Sequence, residues 1–437
     1  MRRTYVALLA AAAMLVGCGG SPGDSASTTE ATSTGGSTPA TPSSTVTPMP
    51  GGWGPNEAEL IEAAGMVDEM SRKEKVGSLL MPQFYGYSAT KVTDEQAGQN
   101  KSSLGVRTAA AAIKRYHLGG AIVMTQNIDD AKQVKRLNDG LAATADPDLP
   151  LLLGVDQEGG IVQRVTKGAT KYPAARTIGK TGKPANARLL AEANGTELRA
   201  MGFTLDFAPV ADVGFDSPAI GNRAYADGPK RVGAMATAAT NGYRAAGIVP
   251  VVKHFPGHGS ATTDSHEELP QITRSKQQLR KTDLPPFERA IDAQVPAVLS
   301  GHLDMRAIDP GTPSTLSKPV VTGMLRKDLG FDGVTITDSQ VMQPILDKYG
   351  AGEAAVRSVL AGQDIVLMPA NLGKAYNALL TAARSGRLSA NRLDAAATRV
   401  TALRLYAKRI GADRPSWSEV PWAKHRGYVR QVEAEAG

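Results

Sequence analysis

Short apolar runs recur along the chain, roughly 30 to 50 residues apart, each followed by a longer amphipathic stretch. Eight runs read as buried strands: 77–81, 120–124, 151–155, 204–210, 248–253, 297–301, 333–337 and 364–368. Between them, residues 109–116, 185–201, 231–246, 277–293 and 352–361 read as helices. Ser71 three residues ahead of Glu74 is a capping-box signal, and Gly119 and Gly247 stand where helices should stop. Eight strand–helix alternations predict an α/β fold of the (β/α)8 TIM-barrel type, which needs ~250 residues or more. A doubly wound open sheet is the alternative, weakened because no Gly-x-Gly-x-x-Gly turn follows the first strand. Residues 388–412 read as a further helix leading to Trp422, a packing arm rather than a second domain.

The first fifty residues break this pattern. Met1-Arg2-Arg3 precedes an apolar run from Val6 to Val16 that is too short to cross a bilayer as a mature helix. Residues 1–17 therefore read as an export signal. The run ends Leu15-Val16-Gly17-Cys18, which resembles a bacterial lipobox, with Cys18 the lipidated residue and the membrane anchor. Of the 34 residues from Gly19 to Gly52, 27 are Ser, Thr, Pro or Gly, too polar to recover the entropy of ordering. Residues 18–52 thus read as a tether and 53–437 as the folded body. The single cysteine leaves no disulfide framework and no cysteine-built zinc site. The formal charge of +7 falls by two when Arg2 and Arg3 leave with the signal. With 5% aromatics and no long basic cluster, a nucleic-acid partner is not expected.

Chemistry gathers where apolar runs end, the face on which barrel enzymes carry their sites. Leu151 to Val155 runs into Asp156-Gln157-Glu158-Gly159-Gly160, and Phe207 to Val210 into Ala211-Asp212. Val251-Val252 leads to Lys253-His254, and residues 334–337 lead to Asp338. Such an acid either caps the next helix or faces a ligand. The segment from His254 to His266 holds three of the six histidines. Its proline and glycines make it a loop. Metal ligation by His254, His258, Asp264 and His266 is one reading. An acid/base loop, in which Asp264 orients His266, is another, and solvated histidines are a third.

The run Lys253-His-Phe-Pro-Gly-His-Gly259, followed by Asp264-Ser-His266 and Leu269-Pro270, resembles the signature of glycoside hydrolase family 3. More narrowly, it is similar to the NagZ-type β-N-acetylglucosaminidases. Asp156-Gln-Glu-Gly-Gly160, Asp206-x-Ala-Pro-Val-x-Asp212, Gly221-Asn-Arg223, Ile336-Thr-Asp338 and Ala361-Gly-Gln-Asp364 fit the same pattern in order, and the signal and tether resemble the actinobacterial lipoprotein members.

The resemblance implies a retaining mechanism with Asp338 as nucleophile and His266, supported by Asp264, as acid and base. It assigns substrate contacts to Asp156, Arg164, Arg223, Lys253 and His254. It implies an extracytoplasmic monomer that removes terminal β-GlcNAc from peptidoglycan fragments, with no metal or other cofactor. Two positions depart from the family: Ile161 stands where an arginine usually follows the Gly-Gly pair, and Ser339-Gln340 follow Asp338 in place of a second acid. Three rival readings remain at this stage: a phosphorylase on the same site, a metal-dependent hydrolase on the histidine loop, and a catalytically silent wall-binding lipoprotein.

Overall fold

The computed structural model describes residues 50–261, 263 and 268–437. Cys18, the export signal, all but the last residues of the tether, and Asp264 and His266 lie outside the described residues.

Eight short parallel strands follow one another in chain order: β1 (Leu80–Met81), β2 (Gly120–Ile122), β3 (Leu152–Val155), β4 (Leu205–Asp206), β5 (Val249–Phe255), β6 (Ala297–Ser300), β7 (Val334–Thr337) and β8 (Val366–Leu367). Strands β2 to β7 form one curled sheet in sequential order. β1 and β8 form a separate parallel pair, in register Leu80↔Val366. Backbone hydrogen bonds complete the round: Ile365 N–H donates to Thr335 O and Thr337 N–H to Ile365 O, each at 3.0 Å, and Ile122 N–H donates to Pro82 O at 3.1 Å. Helices fill the crossovers, so both faces of the strands are buried and their sequences are continuously apolar.

Each predicted strand is present; all are shorter than their apolar runs except β5, which continues two residues past its run to Phe255. Residues 77 and 78, expected in the first strand, instead close the helix Arg72–Ser78, whose start carries the Ser71/Glu74 capping box. The helix expected over 277–293 is two, Lys276–Thr282 and Pro285–Asp292. Pro285 and Pro286 are the reason: Leu284 keeps helical backbone, but neither proline has an N–H to donate to the preceding turn. Two crossover helices bear on the site: α1 (Pro184–Ala200) after β3 and α2 (Pro229–Ala245) after β4.

The predicted arm is the helix α3 (Ala390–Ile410). It stops the amino-terminal end of the barrel: Val400, Leu403 and Tyr406 join Trp53, Leu152, Leu205, Val249 and Val334 in one buried cluster. Arg404 donates to Leu149 O and Pro150 O at 2.6 and 2.8 Å, satisfying carbonyls just ahead of β3. A last helix, α4 (Trp422–Ala436), extends beyond the sequence expectation and packs on α1. With one end stopped, the opposite end is the open one, and all eight strands point their carboxyl ends at it.

Candidate active site

The open end holds a pocket of about 380 Å³ whose wall includes Asp156, Arg164, Arg223, Lys253, His254 and Asp338. A cleft of about 550 Å³ lies at the stoppered end, around Glu69, His117 and Arg404, where no strand delivers a side chain from its carboxyl end.

Asp338 is the first residue after β7. Its backbone N–H donates to Ser300 O of the neighbouring strand at 2.9 Å, and its Oδ1 accepts the Ser339 N–H at 2.8 Å. The next helix, Gln343–Leu346, takes Met342 as its N-cap, so Asp338 is not a capping residue and lines the pocket instead. Buried His302 holds the following residue, with Nε2 at 2.9 Å from Ser339 O and Nδ1 at 2.8 Å from Thr315 Oγ1.

Opposite lies a compact charge network. Lys253 Nζ, near the end of β5, reaches Asp156 Oδ1 at 2.8 Å and Glu158 Oε1 at 2.7 Å. Arg223 clamps the same Glu158, Nη2 to Oε1 at 2.7 Å and Nε to Oε2 at 2.9 Å. The side chains of Lys253 and Glu158 are only 3% and 6% exposed, so these are desolvated ion pairs. Burial alone would raise the Glu158 carboxyl pKa; Arg223 and Lys253 outweigh it and hold it far below the usual range. Burial likewise works against the Lys253 ammonium, which Asp156 and Glu158 keep charged. Arg164 stands 3.7 Å from Asp156 Oδ2, nearer the rim.

His254 is fixed from both sides. Its Nδ1 lies 2.7 Å from Asp212 Oδ2 and its Nε2 3.3 Å from Arg223 Nη2. A guanidinium only donates, so Nε2 accepts and Nδ1 carries the proton toward Asp212. Asp212 Oδ1 also accepts the His258 N–H at 2.6 Å. Burial favours the neutral acid, but the two imidazoles keep the Asp212 pKa below the ordinary carboxylate range. His258 lines the pocket with Nδ1 3.0 Å from Ser217 Oγ, and its buried Nε2 has no hydrogen-bond partner among the described residues. Desolvation pushes its pKa down against the pull of Asp212. Beneath the network, Asp206 accepts the Gln157 N–H at 3.0 Å, and its burial raises its pKa to about 7.

All six described residues that the sequence assigned to the site thus meet in one pocket. Glu158 and Asp212, which the sequence places at strand ends without assigning them a role, prove central to its electrostatics. The signal for Glu158 was present: two residues from Asp156 in extended chain, it shares a face with it. Asp212 also ends an apolar run, but its partners come from β5 and the loop beyond and were not legible.

Such a mouth suits a neutral polyol. Fixed carboxylates and cations offer acceptors and donors side by side, and Asp338 stands as an acid on the wall. Among the described residues no group of three or more His, Cys, Asp or Glu is placed to hold a metal.

The profile of the glycosyl hydrolase family 3 N terminal domain matches residues 71–403. Beta-hexosaminidase LpqI of Mycobacterium tuberculosis is 33% identical over 426 residues, covering 92% of this chain and 97% of that one. Beta-hexosaminidase A of Pseudoalteromonas piscicida is 34% identical over 278 residues, 59% of this chain, and the match spans 46% of that protein's length. Among solved structures, a family 3 β-N-acetylglucosaminidase from Paenibacillus sp. str. FPU-7 superposes with a TM-score of 0.75 at 34% identity, covering 84% of this chain and 69% of that one. M. tuberculosis LpqI itself gives a TM-score of 0.67 at 31% identity, over 78% and 96%. The chain belongs to glycoside hydrolase family 3.

Proposed function

We propose that this protein is a retaining exo-β-N-acetylglucosaminidase. The observation that carries the reading is Asp338 at the end of β7, on the wall of a pocket whose other side is the Asp156–Lys253–Glu158–Arg223 network. Asp338 attacks the anomeric carbon and forms a glycosyl-enzyme, which water then opens with net retention. His266, oriented by Asp264, donates the proton to the leaving oxygen and recovers one from the attacking water; this assignment rests on the resemblance of the loop sequence to the family. Asp156, Arg164, Arg223, Lys253 and His254 bind sugar hydroxyls, and bonds that tighten as the ring flattens favour the transition state. The β-hexosaminidase names of the relatives support GlcNAc as the sugar.

The substrate is a peptidoglycan fragment with terminal β-GlcNAc on a muramic-acid residue. In this reading residues 1–17 are cleaved, Cys18 is lipidated, and residues 18–52 hold the body off the outer face of the membrane as a monomer. The test is product analysis on a defined GlcNAc–MurNAc fragment, with and without phosphate. Free GlcNAc in both buffers is the expected result. GlcNAc-1-phosphate formed only with phosphate would make the enzyme a phosphorylase, and full turnover of an aryl β-GlcNAc by Asp338→Ala would end the assignment of the nucleophile.

A further inference from the structure

Helix α4 lies beyond the residues that match the family, which end at 403, and none of its residues lines the pocket. It nevertheless inserts His425, 4% exposed, against α1, where Nδ1 lies 2.9 Å from Glu197 Oε1. Glu197 is buried too, and its Oε2 accepts the Thr170 N–H at 2.9 Å. The Tyr172 phenol sits beside the same carboxylate, its pKa driven up first by burial and then by that negative charge. A buried carboxylate is costly without partners, so His425 and the Thr170 N–H are what allow Glu197 to stand here.

Thr170 and Tyr172 form the bed of a small antiparallel hairpin, Gln157–Gly159 paired with Val162–Gln163, which is flanked by the substrate residues Asp156 and Arg164. Gln163, at the end of the hairpin, donates from Nε2 to Thr170 O at 2.8 Å and accepts the Tyr172 N–H at 2.9 Å. Tyr172 O in turn accepts the Gly160 N–H at 2.9 Å. The approach is close: a Cβ at Gly159 would lie 2.6 Å from Pro173 O. One turn before Glu197, Asn194 of α1 donates to Gln157 O at 2.7 Å. Asp156, Glu158 and Arg164 belong to this hairpin or flank it. An unbroken chain of hydrogen bonds therefore runs from α4 through His425, Glu197 and Thr170 to Gln163, the residue beside Arg164.

We propose that His425 is a positioning residue, through which the terminal helix sets the substrate hairpin on α1 and so governs substrate binding without touching the chemistry at Asp338. The kinetic consequence rests on the glycosidase reading above; the coupling itself does not.

The full chain is compared with three variants: His425→Ala, His425→Asn, whose amide can still donate to Glu197, and Val432→Ala, which trims the packing of α4 and leaves the pair intact. KM and kcat are measured on an aryl β-GlcNAc, and amide hydrogen exchange is followed over residues 163–173. His425→Ala should raise KM roughly five-fold with kcat within about two-fold, and should speed exchange in that segment. His425→Asn should restore both, and Val432→Ala should leave both at the wild-type level. If His425→Ala does not fold, His425→Phe, which fills the same space and donates no hydrogen bond to Glu197, carries the same expectation. A folded His425→Ala or His425→Phe with unchanged KM and exchange overturns the proposal, as does failure of His425→Asn to restore them or an equal effect of Val432→Ala. If the wild type does not turn over the aryl glycoside, the function fails, and the exchange data still decide the coupling.

Discussion

Replacing Glu158 by Gln preserves the side chain's shape and removes the charge that two buried cations share. The carboxylate lies 2.7 Å from Lys253 Nζ and is gripped by Arg223 at 2.7 and 2.9 Å. Removing one member of a buried ion pair costs ~3–5 kcal/mol, because the remaining charges stay desolvated without compensation. Unfolding entropy of ~2.1 cal/mol/K per residue, taken over residues 53–437, sums to roughly 0.8 kcal/mol/K. The expected fall in Tm at pH 7 is therefore about 4–6 °C. The sign of the pH dependence follows from the depressed pKa. Glu158's contribution is fully present above its ordinary value of 4.5 and is lost as pH falls toward the folded value. The gap between wild type and Glu158→Gln should hold from pH 8 to about 5 and narrow below that, while carboxylates common to both proteins cancel in the difference. Thermal melting at a series of pH values measures it. A variant that melts with the wild type at pH 7, or a gap that widens on acidification, would refute the role given to Glu158.

Three further substitutions probe the site. Asp338→Asn should lower kcat by ~10⁴-fold or more, with Tm unchanged or higher, since active-site charges are commonly held at a cost in stability; burst kinetics and melting read both effects. Asp212→Asn removes the acceptor that fixes the His254 tautomer, and kcat/KM should fall roughly 10- to 100-fold; wild-type kcat/KM would show that His254 needs no such partner. Asp206 has a folded pKa of about 7, above its ordinary 3.8, so its contribution is full below 3.8 and lost as pH rises through 7. Asp206→Asn should therefore gain Tm relative to the wild type between pH 5 and pH 8, and a difference independent of pH would contradict that account.

The strands were legible because parallel barrel strands are buried on both faces and leave plain apolar runs. Their ends were not, since the runs continue past the last ladder pair: residues 207–210 stay buried after β4 ends at Asp206. The start of β1 was displaced because Gly77 and Ser78, which carry little apolar surface, close the preceding helix, with Ser78 Oγ donating to Lys75 O at 2.8 Å. Within the site, Asp156, Lys253, His254 and Asp338 were legible because each directly follows or ends an apolar run. Arg164 and Arg223 came from the family pattern alone. The pairing of Arg223 with Glu158 and of His254 with Asp212 joins residues 65 and 42 positions apart, a relation created by closing the barrel. The role of α4 was invisible for the same reason, as His425 and Glu197 are separated by 228 residues.

The central claim is that Asp338 becomes covalently attached to the sugar. Its most direct test is peptide mapping by mass spectrometry of enzyme quenched while it turns over a slow fluorinated aryl β-GlcNAc. The account predicts a single glycosyl adduct on Asp338 and a first-formed product of β configuration. An adduct on another residue, or an α-configured product with no adduct, would contradict it.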